Sequence, residues 1–123
     1  MIVGLGIDIV ELTRITRSLE KFGERFKSRI LTPAESALVP ANPIPFLAGR
    51  FAAKEAAVKA LGTGFTQGIS LHDIEILNDP AGKPCLAFHG HALRHRTRMN
   101  VKTQFVSISH GKDNAVAVVI LEQ

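Results

Sequence analysis

The segment Phe46–Leu61, FLAGRFAAKEAAVKAL, constrains this chain more than any other stretch of it. It is dense in alanine, carries few long polar side chains and runs directly into Gly62. Alanine is the best helix former, and glycine is the residue that most easily closes a helix in the left-handed conformation. The segment therefore predicts a helix that stops at Gly62. A helix lying on a protein surface keeps one apolar stripe and one polar face. Here small apolar residues recur on most faces, which predicts a helix enclosed by its neighbours.

The remaining residues supply that enclosure largely as strands. Ile2–Val10 alternates and is rich in branched side chains, so it reads as a strand. Leu12–Phe26 has helical spacing with two distinct faces. Thr32-Pro33-Ala34-Glu35 has the form of a capping box with proline at the first helical position, and should start a short helix that ends before Pro40. Asn42-Pro43-Ile44-Pro45 reads as a rigid connector. Beyond Gly62, strands are expected at Leu71–Leu77 and Pro84–Phe88 around the turn Asn78–Gly82, and a short helix at His91–Met99. Gln104–Ser109 and Ala115–Leu121 form a final hairpin. The order of strand, helices, two strands, helix and two strands predicts an α+β fold, a mainly antiparallel sheet packed against the long alanine-rich helix. With 123 residues, 46% of them hydrophobic, there is apolar material for one core, hence a single domain over residues 1–123.

A net charge of +4 suits an acidic partner or a phosphorylated ligand without choosing between them. With no Trp or Tyr, the interleaved aromatic and basic residues of a single-strand binder are weak, so no nucleic acid is expected. The single cysteine, Cys85, excludes an internal disulfide and a multi-cysteine metal cluster, and is expected as a small buried strand residue in a reducing compartment. Asp8 and Glu11 interrupt the apolar N-terminus, and no apolar run nears the roughly 20 residues that span a bilayer. The expectation is a cytoplasmic protein with no membrane partner.

Two carboxylates stand in apolar company: Asp8 in Gly6-Ile7-Asp8-Ile9-Val10, and Glu55 in Ala52-Ala53-Lys54-Glu55-Ala56-Ala57. A buried carboxylate is costly unless paired, protonated or bound to metal. If both face one site, they and substrate phosphate oxygens would suit Mg²⁺. Alternatively Asp8 caps a strand end while Glu55 pairs with Lys59 one helical turn on; spacing alone favours this second reading. Lys59 would bring a cation to a phosphate-rich ligand, and the backbone amides of Gly62-Thr63-Gly64 could assist it. Gly4-Leu5-Gly6 lacks the third glycine and the following helix of a dinucleotide fingerprint. On the first helix, Arg14, Arg17, Lys21 and Arg25 fall within an arc of roughly 80°, apart from Ile15, Leu19, Phe22 and Phe26. Arg25 leaves this stripe if Gly23 breaks the helix. His89, His91 and His95 sit among arginines that disfavour a dication, and read as surface residues.

Four stretches together resemble the holo-acyl-carrier-protein synthases, the small trimeric group of 4′-phosphopantetheinyl transferases: Gly4–Glu11, Phe46–Gly64, Asp73–Ile76 with Gly82-Lys83-Pro84, and Val106–His110. The resemblance extends from Met1 to Glu122, and Phe46–Gly64 is its most specific part. Asn114 departs from it, standing where many members have an aromatic residue. The resemblance implies transfer of 4′-phosphopantetheine from coenzyme A to a serine of acyl carrier protein, in support of fatty acid biosynthesis. It implies Asp8 and Glu55 as Mg²⁺ ligands and Lys59 as a contact to coenzyme A phosphates. Arg50, Gly62, Thr63, Gly64, Lys83, Pro84 and His110 would fall on nucleotide-pocket segments, between subunits of a homotrimer. It also implies Arg14 in carrier-protein binding, to which the stripe adds Arg17 and Lys21. Two rivals remain on the sequence: a basic nucleic-acid-binding module and a magnesium phosphohydrolase.

Overall fold

The computed structural model describes residues 1–123. In chain order the elements are strand β1 (Ile2–Glu11), helices α1 (Leu12–Phe22), α2 (Glu24–Ile30), α3 (Pro33–Ser36) and α4 (Pro43–Leu61), strands β2 (Ile74–Asn78) and β3 (Pro84–Phe88), helix α5 (Gly90–Arg98), and strands β4 (Thr103–His110) and β5 (Asn114–Glu122). The fold is α+β, as expected, but the strands form two sheets. One has the order β1-β5-β4 and the other is the hairpin β2-β3; all pairings are antiparallel. The side chain of Gln104 on β4 ties the two together by donating to the Leu86 carbonyl at 2.9 Å.

Helix α4 lies across the larger sheet, and twelve of its nineteen residues are buried. Enclosure on most sides was the expectation from its alanines. Its closest neighbour is β1. The side chains of β1 alternate between the helix and the opposite face, and two helix-facing positions are Gly4 and Gly6. A Cβ at Gly6 would collide with the Ala56 carbonyl and stand 2.8 Å from the Ala60 amide; one at Gly4 would collide with the Ala60 carbonyl. Glycine on the strand and alanine on the helix thus let two backbones touch. Twenty-five buried apolar residues, from Val10 to Leu121, form one cluster around this contact.

Several local expectations change. The first helix breaks at Gly23, whose φ of 57° is open to glycine and strained for other residues, and resumes as α2. The segment Asn42–Pro45 is no connector: Pro43 and Pro45 lie in the first turn of α4, where a missing N–H leaves no helical bond unmade. Leu71–Asp73 forms a 3₁₀ turn ahead of β2. Cys85 is exposed, because Leu86 and Phe88 occupy the inward phase of β3 and leave Cys85 on the other face.

Candidate active site

Asp8 follows Gly4 and Gly6 on the helix-facing side of β1. Since α4 runs antiparallel to β1, with Ala60 over Gly4 and Ala56 over Gly6, the strand brings Asp8 alongside the turn that carries Glu55 and Lys59. The Lys59 ammonium donates to Asp8 Oδ1 at 2.9 Å and to the Ile7 carbonyl at 3.0 Å. Lys59 therefore pairs with Asp8, not with Glu55, and Asp8 sits mid-strand opposite Ala117 rather than capping an end. The Asp8 side chain is 18% exposed and that of Lys59 52%.

Glu55 is left without an ion-pair partner of its own. Burial raises its pKa above the ordinary glutamate value, and the Asp8 charge pushes in the same direction; Lys59 and Arg14 only partly offset them. A carboxylate whose charge is disfavoured beside a second carboxylate forms a place where a cation is wanted. Nowhere does the fold assemble three or more His, Cys, Asp or Glu side chains around one point. A donor set of two carboxylates fits Mg²⁺, which keeps several waters and takes its other ligands from substrate phosphates, better than ions that need an all-protein cage.

Beside Glu55 opens a cleft of about 820 Å³, walled by α1, α2, α4 and the segment 65–72. Its volume lies within the ordinary range of ligand pockets. Phe22, Phe26, Phe51 and Phe65 line it, and Arg14, Arg25 and Arg29 stand at its sides. The Arg14 guanidinium lies 5.2 Å from the centre of the Phe51 ring, which holds a positive charge over an apolar floor. Breaking the helix at Gly23 takes Arg25 off the α1 stripe, yet Arg25 still lines the same cleft as Arg14 from α2. Arg17 and Lys21 are exposed outside it, Lys21 resting over Phe22 at 5.3 Å. Phe22, which helical spacing groups with Ile15, Leu19 and Phe26 away from the basic stripe, is 48% exposed.

The amides of Gly62, Thr63 and Gly64 are not free for a phosphate. They donate to Lys59 O at 3.0 Å, Val58 O at 3.1 Å and Val58 O at 3.3 Å, closing the last turn of α4. A helix end must satisfy its orphan carbonyls, and here the glycine run does so. The Thr63 hydroxyl is likewise turned inward to Gly64 O at 2.8 Å.

Arg50, Lys83, Pro84 and His110 lie elsewhere. Arg50 is rotated from Glu55 by about 140° around the helix. It donates to Asn78 Oδ1 at 3.1 Å, and Asn78 pairs with Pro84 across the β2-β3 hairpin. Its guanidinium stacks 4.3 Å over the Phe46 ring; its Nε is buried without a partner, and burial lowers its pKa. His110 Nε2 is 3.0 Å from the Pro45 carbonyl, packed on Gly49. Within one chain, then, the residues implied by resemblance fall into two groups on different sides of α4.

The sequence reading missed a buried ion pair behind the cleft. Lys54 and Glu35, both 0% exposed, meet at 2.7 Å. Glu35 was legible as part of a capping box, which it does form with Thr32. Its second role carried one signal only: Lys54 shares its arc of α4 with Leu47, Ala57, Val58 and Leu61, and Arg50 is the one other charge there.

Comparison with known proteins places the chain in a family. A profile of the 4′-phosphopantetheinyl transferase superfamily matches residues 4–119. The holo-[acyl-carrier-protein] synthase of Maridesulfovibrio salexigens is 60% identical over 124 residues, covering 100% of both chains. Among solved structures, the holo-[acyl-carrier-protein] synthase of Neisseria meningitidis superposes with a TM-score of 0.91 at 41% identity, covering 100% of both chains. That of Helicobacter pylori, solved in complex with coenzyme A, gives a TM-score of 0.86 at 34% identity, covering 96% of this chain and 99% of that one. By its sequence from end to end and by its fold, this chain belongs to the 4′-phosphopantetheinyl transferase superfamily, among the holo-[acyl-carrier-protein] synthases.

Proposed function

We propose that the chain, a single domain over residues 1–123, transfers the 4′-phosphopantetheine arm of coenzyme A to a serine hydroxyl of apo-acyl carrier protein. The serine oxygen bonds to the pantetheine-bearing phosphorus as its hydroxyl proton passes to solvent, the bond from that phosphorus to the bridging pyrophosphate oxygen breaks, and adenosine 3′,5′-bisphosphate leaves. The observation that carries this reading is the meeting of Asp8 and Glu55 with Lys59 beside an arginine-lined cleft. Asp8 and Glu55 would hold Mg²⁺, which when bound supplies Lewis acidity to the phosphoryl group under attack. Lys59, more than half exposed, can turn from Asp8 toward the 5′-phosphate of the leaving adenosine 3′,5′-bisphosphate and offset its growing charge. Arg14, with Arg25 and Arg29 along the cleft and Arg17 and Lys21 outside it, offers an acidic carrier protein a complementary surface.

We further infer a homotrimer with sites between subunits. The face of β1-β5-β4 turned away from α4 carries Leu5, Ile7 and Ile9, each 60% exposed or more, opposite Ile120, Val118 and Val116, with Phe105 beyond. An antiparallel sheet that faces water normally presents polar residues there; a contiguous apolar face calls for a cover. A second copy covering it would allow Arg50, Lys83, Pro84 and His110 of one subunit to serve the nucleotide whose pyrophosphate lies at Asp8 and Glu55 of the next. We place this activity in the cytoplasm, in support of fatty acid biosynthesis. No helix is long and apolar enough to cross a membrane.

The test is the mass of apo-acyl carrier protein incubated with coenzyme A, Mg²⁺ and this chain. A gain of one phosphopantetheine, absent when Mg²⁺ is omitted, is the expected result. An unchanged carrier mass would contradict the proposal. Release of phosphate without carrier protein would favour a phosphohydrolase, and Mg²⁺-independent, salt-sensitive binding to DNA a nucleic-acid module.

A further inference from the structure

Behind the cleft lies a charge for which the transfer chemistry has no use. The Lys54 ammonium donates to the Ile30 carbonyl at 2.6 Å, to Glu35 Oε1 at 2.7 Å and to the Leu71 carbonyl at 3.0 Å. An ammonium has three protons, so all are committed. Glu35 is as fully engaged: Oε1 also accepts the Thr32 amide at 2.9 Å, and Oε2 accepts the Ile76 amide at 2.9 Å. One buried pair thereby joins the end of α2, the start of α3, the 3₁₀ turn, β2 and α4.

Stability alone explains this arrangement poorly. A buried ion pair does little better than apolar groups of the same volume, because desolvation offsets the attraction. What a lysine does that a methionine cannot is draw oxygens from three separate segments to one point. Two of those segments form walls of the cleft: Ile30 at the end of α2 and Leu71 in the 3₁₀ turn both line it. Glu55, the residue after Lys54, lines it from α4.

We propose that Lys54 is a positioning residue, whose three bonds set the spacing between the α2 and Leu71 walls of the cleft and the Glu55 carboxylate, and so the fit of the acidic carrier protein. This rests on reading the cleft as the carrier-docking surface. Without the ammonium, the α2 and Leu71 walls lose their common anchor while α4, held on β1 by the glycine contacts, stays in place. Carrier docking weakens; coenzyme A binding does not.

The variants are Lys54→Met, which removes the charge at similar volume, and Lys54→Arg, which keeps the charge on a planar fork that cannot converge on three oxygens. Both are assayed well below their unfolding temperature. The KM for carrier protein should rise about tenfold, with the KM for coenzyme A within about twofold of the starting protein. Hydrogen exchange should quicken in residues 24–35 and 65–73 while β1 and β5 keep their protection. Should Lys54→Met fail to fold, Lys54→Arg carries the same readouts. Uniform loss of protection with an unchanged carrier KM would overturn the proposal, leaving Lys54 a structural staple. So would local loss of protection with an unchanged carrier KM. If the unaltered chain transfers nothing, the functional reading fails instead, and the exchange pattern alone decides whether Lys54 fixes the walls.

Discussion

Glu55 and Glu75 are the same side chain held in opposite ways. Burial and the Asp8 charge raise the pKa of Glu55, whereas the hydroxyl of Thr32, donating at 2.6 Å, outweighs the burial penalty and, with help from His89, lowers that of Glu75. A raised carboxylate pKa means that the folded chain binds the proton more tightly than the unfolded one. Stability then falls as pH rises from the ordinary glutamate value through the folded one, and the penalty is complete above it. Glu55→Gln should therefore raise the melting temperature of the metal-free protein at pH 7–8, make little difference below about pH 4, and abolish transfer. Calorimetry across that pH range with the carrier mass assay checks both halves. For Glu75 the sign reverses: its contribution is present above the ordinary value and disappears as acid titrates the folded group. Thr32→Val should move the acid-unfolding midpoint to higher pH. Asp8 and Glu55 stood out in the sequence as charges in apolar stretches, but spacing alone favoured separate roles for them, and only the family resemblance put them in one site. The ion pairs were not legible: Lys59 meets Asp8 across 51 positions and Lys54 meets Glu35 across 19, separations at which local spacing carries no information.

Between elements, the contact of α4 with β1 decides where the site lies. Alanine content announced that the helix would be enclosed, and Gly62 announced its end; both hold. Gly4 and Gly6 could be excluded as a nucleotide fingerprint, but their use as a bed for the helix depends on which strand the helix crosses. The same dependence hid the break at Gly23 and the helical start at Pro43, since a proline fits a connector and a first helical turn equally well. Gly6→Ala inserts a methyl group into the Ala56 carbonyl and the Ala60 amide, so it must lift α4 from the strand. We expect a loss of about 1–3 kcal/mol or more, seen as a lower urea midpoint, with weakened transfer because Asp8 and Glu55 separate.

Across the whole molecule, the β1-β5 part of the larger sheet is apolar on both faces, one covered by α4 and the other bare in a single chain. The alternation of β1 suggested a buried strand; strand periodicity cannot say whether the covering belongs to the same chain or to another. Ile7→Asp, at the centre of the bare face, should convert a trimer into monomers by sedimentation and lower transfer sharply while leaving the fold intact. A monomeric starting protein would remove the inference of shared sites. The claim on which the rest depends is that Asp8 from β1 and Glu55 from α4 grip one dication beside the pyrophosphate of coenzyme A. Calorimetric titration of coenzyme A with and without Mg²⁺, into the unaltered protein and into folded Asp8→Asn and Glu55→Gln variants, tests it most directly. The account predicts that Mg²⁺ tightens coenzyme A binding about tenfold or more in the unaltered protein and that either substitution removes this gain. The same Mg²⁺-dependent gain in all three proteins would contradict it.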